Sequence, residues 1–117
     1  IEAHEIADEL AHDVPQEPER KPPIGLIKHV VAQEFDTTVA ELESHRRYLS
    51  ITLPRQIAMY LARQMRPDSF PTIGRKFGGR DHTTAISAVN KITRLVAVDP
   101  KFAARVEAIK FRIRART

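Results

Sequence analysis

The 117-residue chain has no cysteine, which excludes disulfides, thiolate zinc sites and a cysteine nucleophile and fits a reducing compartment. No apolar run approaches the roughly 20 residues that cross a bilayer, and no signal peptide opens the sequence, so a soluble, cytoplasmic protein is expected and no membrane partner. No stretch alternates with period two for long enough to make a strand, and no internal repeat is visible. The length allows one modest core and not two. The first residue is Ile rather than Met, as in a fragment or a processed form.

What is present is unevenly charged. Residues 1–22 hold seven acids and two bases, whereas residues 23–117 hold seventeen bases and eight acids. A strongly basic body attracts polyanions, nucleic acid first and an anionic membrane second. Within the acidic leader, EAHEIADELAH sets Ile6 and Leu10 four apart, the narrow apolar edge of a short marginal helix. Four prolines between Val14 and Pro23 then deny the backbone amide donors and helical geometry. Residues 1–22 therefore read as a leader and linker, and residues 23–117 as the folded domain.

The body reads as helices throughout. Ile24, Ile27, Val31 and Phe35 follow the helical period. DTTVAELES predicts a shorter helix capped by Thr37 or Thr38, with Val39 and Leu42 inward. HRRYLSI has no period and two adjacent arginines, Arg46 and Arg47, and reads as a basic loop. In TLPRQIAMYLARQM the expected cap is Thr52, with Pro54 in the first turn. Leu53, Ile57, Leu61 and Met65 make its apolar stripe, leaving Arg55 and Arg63 available to solvent or ligand. Ser69 is placed to cap a very short helix through Phe77, GlyGlyArg turns the chain, and Asp81 caps a long helix with Ala85, Val89, Ile92 and Val96 inward. Thr84, Ser87, Lys91 and Arg94 fall on its polar side. Asp99 and Pro100 open a last helix with Phe102, Val106, Ile109 and Ile113 inward. The expected fold is all-α, about six helices around one core.

The stretch IGRKFGGRDHTTAISAVNKI, from Ile73 to Ile92, interrupts an apolar helical pattern with two glycines and a polar cluster and then resumes it. A short helix, a tight glycine turn and a longer helix with polar residues in its first turn is the plan of a helix-turn-helix unit. Such a unit presents the amino end of its second helix to the major groove, so base-reading side chains must sit in the first turns. The residue types suit that task. Threonine offers a methyl to the thymine methyl and a hydroxyl to an acceptor, aspartate accepts from cytosine N4, and histidine donates to a base edge or phosphate. A plain structural reading is also open: Asp81 as a cap, the threonines as first-turn residues, the glycines as a stop.

The same stretch resembles the signature of the C-terminal DNA-binding domain of the bacterial chromosomal replication initiator DnaA. Ile73, Gly74, Phe77, Gly78, Arg80, Asp81, His82, Thr83, Thr84, Ala88, Lys91 and Ile92 fit, and PRQIAMYLAR fits upstream. The resemblance covers roughly residues 23–115, and RDHTT is its most specific part. It implies binding to duplex DNA at DnaA boxes, similar to TTATCCACA, at a replication origin. By this resemblance Asp81, His82, Thr83 and Thr84 read the major groove, and Arg47 in the basic loop enters the adjacent minor groove. Arg55, Gln56, Arg63 and Lys91 match residues that touch bases or phosphates, and Arg46 and Arg80 complete the expected contact set. A loop arginine is independently a sensible probe of a narrow, electronegative A·T-rich minor groove.

There are departures. Leu49 and Leu53 stand where the family often has arginines, and Tyr48 replaces a small polar residue. Each missing cation removes a potential phosphate contact. Nothing resembles a GxxxxGK[ST] phosphate loop, and residues 1–22 are too few for an ATPase domain. The chain is expected to be either the excised C-terminal domain of an initiator or a stand-alone relative.

Other classes fit less well. Adjacency of Asp81 and His82 in sequence does not make a catalytic dyad, and no activated nucleophile accompanies them. His4, His12, His29, His45 and His82 lack zinc-helix spacing, so neither metal nor cofactor is expected. The rival reading is an interaction module, a replication regulator whose acidic leader or final FRIRAR segment docks other replication proteins while DNA binding is weak or altered.

Overall fold

The computed structural model describes residues 21–117. Six α-helices follow one another: α1 Ile24–Glu34, α2 Val39–Glu43, α3 Leu49–Met65, α4 Phe70–Lys76, α5 His82–Val98 and α6 Pro100–Ala115. No strand occurs among the described residues, in agreement with the all-α reading. The predicted leader helix and nearly all of the proline-rich linker lie outside the described residues.

The helix α3 is the central element, packed against α1, α2, α4 and α5, while α6 closes the far side against α1 and α5. Its sequence suits that place. Ile57, Ala58, Leu61 and Ala62 have no exposed surface, and Met59 and Tyr60 are buried as well, so α3 is apolar on more than one face, as an element surrounded by neighbours must be. The inward positions read from the pattern on the other helices hold except at Val39, which is only half-buried and lies outside the core cluster. Ile27, Val31, Leu42, Ala85, Ile92, Val106, Ile109 and Ile113 are buried; Phe35, Val89, Val96 and Phe102 pack half-buried around them.

Helix ends follow local chemistry. Thr38 Oγ1 accepts from the Glu41 amide at 3.1 Å, Ser69 Oγ from the Thr72 amide at 3.4 Å, and Asp99 Oδ1 from the amides of Lys101 and Phe102 at 3.1 and 3.2 Å. Caps of this kind contribute about 1 kcal/mol each. The start of α3 corrects the sequence reading. The helix begins at Leu49, one turn before Thr52, with Tyr48 in the cap position and no side-chain cap bond. The amides of Ile51 and Thr52 both reach the Tyr48 carbonyl, at 2.9 and 2.8 Å. Burial of Ile51, which keeps only 8 % of its surface exposed, favours this extra turn. Pro54 then lies within the helix, where its missing N–H forfeits only a bond to the Ser50 carbonyl.

The turn between α4 and α5 is held from several directions. Phe77, with no exposed surface, plugs the end of α4 into the core, and the Arg80 amide returns to the Gly74 carbonyl at 2.7 Å. Gly78 and Gly79 take φ of 80° and 71°, the left-handed region that glycine enters without a Cβ penalty. At Gly78 a Cβ would also collide with the Glu43 carbonyl, so this turn lies directly on the end of α2.

On the opposite side, Glu34 of α1 ties α6 through Arg105 and Arg112, at 3.4 and 2.8 Å. FRIRAR forms the last turns of α6. Ile113 is buried there, and Phe111 is 74 % exposed.

Candidate nucleic-acid interface

The amino end of α5 stands clear of the core. Asp81, His82, Thr83 and Thr84 are all exposed, whereas Ala85, the next residue, has no exposed surface. The boundary between exposed surface and core thus falls between Thr84 and Ala85. Asp81 holds the cap position, but its side chain makes no capping bond to the amides of Thr83 or Thr84. Instead its carboxylate accepts from the Thr83 hydroxyl at 3.1 Å and lies 2.8 Å from His82 Nδ1. The hydroxyl bond first, and the neighbouring imidazole second, hold the Asp81 carboxyl below the usual carboxylate range. The three side chains therefore orient one another as an exposed polar group at a helix start.

From there a basic cleft of about 320 Å³ runs between α5 and α3. One wall is Thr84, Ser87, Ala88, Lys91 and Arg94; the other is Thr52, Arg55, Gln56 and Met59, with Arg80 at the turn. The wall from α5 is a single helical stripe at spacings of three and four. Gln56 Oε1 and Thr52 Oγ1 are buried in the other wall without a hydrogen-bond partner in the protein. Arg63 continues the α3 stripe one turn beyond Met59. It is exposed, stacks 4.3 Å from the Phe70 ring centre, and donates to the Asp68 carbonyl at 2.9 Å.

The basic loop follows α2. Arg46 and Arg47 are exposed. Arg46 pairs with the Glu41 carboxylate at 3.2 Å, and no ion pair among the described residues engages Arg47. The loop adjoins the start of α5, because the Ser44 carbonyl accepts from Arg80.

Two arginines of the expected contact set sit differently from the sequence reading. Arg55 was placed off the apolar stripe and available to solvent, yet only 5 % of it is exposed. Its guanidinium donates to the carbonyls of Leu42 at 2.7 Å, Glu41 at 3.2 Å, and Ser44 and Arg46 at 2.9 Å each. Burial, and then the charge of Arg80, pull its pKa below the ordinary arginine value. The reason is geometric: α2 ends beside α3 and leaves carbonyls with no helical partner, and Arg55 is the donor within reach. Arg80, half-buried, is likewise engaged by the carbonyls of Phe77 and Ser44.

Sequence reasoning also missed parts of this region. Lys28 on α1 is buried, with Nζ 2.5 Å from the Glu43 carboxylate, bonded to the Lys76 carbonyl and 4.7 Å from the Phe77 ring centre. Lys28 lies four residues after Ile24 and three before Val31, on the apolar stripe itself, a sign that it points inward though not of which groups it meets. Ser87 and Arg94 did carry one, since they continue the helical stripe from Thr84, and both line the cleft.

The described residues contain no group of three His, Asp or Glu able to hold a metal ion, and no helix long and apolar enough to cross a membrane.

Comparison with known proteins fits this geometry. Residues 24–92, from the start of α1 through the buried part of α5, match the family described as bacterial dnaA protein helix-turn-helix. The chain is 48 % identical over 107 residues to the chromosomal replication initiator protein DnaA of Rhizobium johnstonii, covering 91 % of this chain and 22 % of that protein. Identity is 50 % over 84 residues to the DnaA of Brucella abortus, covering 72 % and 17 %. For the DnaA of Symbiobacterium thermophilum it is 47 % over 92 residues, covering 79 % and 20 %. The chain thus spans about a fifth of the length of these curated relatives. With six helices among its described residues, its glycine turn and the exposed amino end of α5, the chain belongs to the bacterial DnaA helix-turn-helix family.

Proposed function

We propose that this protein binds double-stranded DNA sequence-specifically at DnaA-box-like sites in the initiation of chromosomal replication, as a binding unit and not as an enzyme. The amino end of α5 enters the major groove with Asp81, His82, Thr83 and Thr84 at the base edges. Arg47, flanked by Arg46, enters the neighbouring minor groove. Lys91, Arg94 and Arg63 face the phosphates along the cleft and its continuation on α3. The folded unit of residues 23–117 carries this activity in the cytoplasm, on the nucleoid, and residues 1–22 form an acidic leader.

The observation that carries the reading is the exposed Asp81–Thr84 group at a helix start, bordered by a basic cleft and joined through Ser44 to a loop with two exposed arginines. A side chain that served only to cap would bond the amides of Thr83 or Thr84, and the Asp81 carboxylate is turned instead to the Thr83 hydroxyl and to His82.

The test is a titration of a labelled DnaA-box duplex and a scrambled duplex at several salt concentrations. A sequence reader prefers the box at physiological salt, by about tenfold or more. Weak, sequence-blind binding that disappears steeply with salt would instead support the interaction-module reading.

A further inference from the structure

The Arg46–Arg47 loop is fastened to the reader helix by two other arginines, both facing inward. Arg55 Nε takes the Leu42 carbonyl, and one terminal nitrogen, Nη2, lies within bonding distance of the carbonyls of Glu41, Ser44 and Arg46. Arg80 Nη2 also donates to the Ser44 carbonyl, and its Nη1 to the Phe77 carbonyl. A carbonyl oxygen has two lone pairs, and that of Ser44 is shared by two guanidinium groups. Ser44 is two residues before Arg46, and Arg80 immediately precedes Asp81.

Among the described residues, no carboxylate bonds to either guanidinium. Glu43 is turned to Lys28 and Glu41 to Arg46. Bringing two like charges together on carbonyls alone is a costly way to hold a loop, and burial pulls the pKa of both arginines down. What the arrangement supplies in return is direction. A guanidinium is a rigid planar fork, so each pair of bonds fixes an angle as well as a distance. Gly78 reinforces the same junction, because its backbone lies against the Glu43 carbonyl where a Cβ would not fit.

We propose that Arg55 and Arg80 are positioning residues for DNA recognition: together they set the offset between Arg47 and the amino end of α5 without touching the duplex themselves. The inference rests on the DNA-reading function proposed above. It departs from the sequence reading in taking both Arg55 and Arg80 out of the contact set. A minor-groove probe and a major-groove helix recognise one site only when their separation is fixed, so a loosened junction blurs the half of the site that Arg47 reads and leaves the half under α5.

The experiment uses the full chain with Arg55→Lys, Arg80→Lys and Arg55→Met. The lysine variants keep the charge and lose the fork. In the free protein, brief trypsin digestion read by mass spectrometry is expected to cut after Arg46 or Arg47 at least about threefold faster in both lysine variants, with unchanged helicity, because only local opening is affected. On DNA, both should lose about tenfold in discrimination against substitutions in the A·T-rich half and keep discrimination in the other half. In an Arg47→Ala background, Arg55→Met should have less than about a twofold further effect, the non-additivity expected of residues acting through one another. Unchanged cleavage in the lysine variants would overturn the positioning role. So would an Arg55→Met effect that adds fully to Arg47→Ala and lowers the salt slope by about one, the mark of a direct phosphate contact. Should the methionine variant not fold, the lysine variants decide the matter alone. A wild type that fails to prefer the box sinks the DNA reading, while the digestion still reports on the junction.

Discussion

Two sets of cations stand within a few residues of each other and face opposite ways. Lys28, Arg55 and Arg80 point inward and are occupied by the carbonyls of residues 41, 42, 44, 46, 76 and 77 together with the Glu43 carboxylate. Arg46, Arg47 and Arg94 are exposed, and half-buried Lys91 lines the cleft. Charge is the same in both sets; what differs is the supply of backbone oxygens left over where α2 and α4 end. The inward set consumes those oxygens and thereby fixes the platform. The outward set has few acceptors among the described residues, and under the proposed function it meets an external polyanion.

If the sets differ in this way, damage to the inward one must appear first in the platform, as lost stability or local opening, and damage to the outward one as lost binding with the fold intact. The largest effect is expected at Gly78, beneath the inward set. Gly78→Ala places a Cβ against the Glu43 carbonyl at a φ of 80°, and should destabilise the fold by about 2–4 kcal/mol in urea unfolding. Gly79 has a φ of 71° with open space around it, so Gly79→Ala should cost only about 1–2 kcal/mol, the backbone contribution alone. Equal losses at the two glycines would mean that the close approach to α2 does not matter. Lys28→Met comes next. It strips the Glu43 carboxylate of its partner and should cost about 1–3 kcal/mol of stability, with the salt dependence of DNA binding unchanged.

The sequence was most legible where one local rule acts alone. Helical stripes gave the inward residues of α1, α5 and α6, and Thr38, Ser69 and Asp99 capped where a short polar side chain precedes an apolar run. RDHTT marked the polar amino end of α5, and Asp81 to Thr84 are exposed there. The sequence misled where distant segments meet. The start of α3 moved because burying Ile51 outweighed the cap signal of Thr52 and Pro54. Arg55 and Lys28 went inward because other elements end beside them, and nothing within their own helices records which carbonyls a neighbour leaves unpaired. Gly78 was read as a turn residue and proved also to be a point of backbone contact with α2.

In the outward set, Thr84→Ala and Arg47→Ala should each cost about 1–3 kcal/mol of binding to a DnaA-box duplex. Both side chains are exposed, so the urea midpoint should not move. The two losses should relax preference in different halves of the site, Arg47→Ala in the A·T-rich half. Equal loss on box and scrambled duplexes would remove Thr84 from the readers. Lys91→Ala should weaken all sequences alike, by about 0.5–1 kcal/mol, and flatten the salt slope by about one. A change in base preference at Lys91 would show that the cleft reads sequence as well as phosphate.

The smallest effect tests the comparison at its edge, where a cation serves the platform through a carboxylate instead of a carbonyl. Arg66 holds Asp68 at 2.7 Å and also donates to the Pro22 carbonyl at 2.8 Å, tying the entry of the folded unit to the break before α4. The hydrogen bond from Arg66, more than any other cause, lowers the Asp68 pKa in the folded protein. A carboxyl whose folded pKa lies below its unfolded value stabilises the fold at pH above that unfolded value, near 4, and the contribution is lost as pH falls through the folded pKa. The pair is only partly shielded, so its share is about 1 kcal/mol or less. Asp68→Asn should therefore lower stability slightly at pH 7 and have no effect once the wild type is titrated well below pH 4, as measured by urea unfolding at both values. A deficit that persists at the acidic end would assign the role of Asp68 to shape and not to charge, and would bring the Arg66 junction closer to the carbonyl-bound set around Arg55.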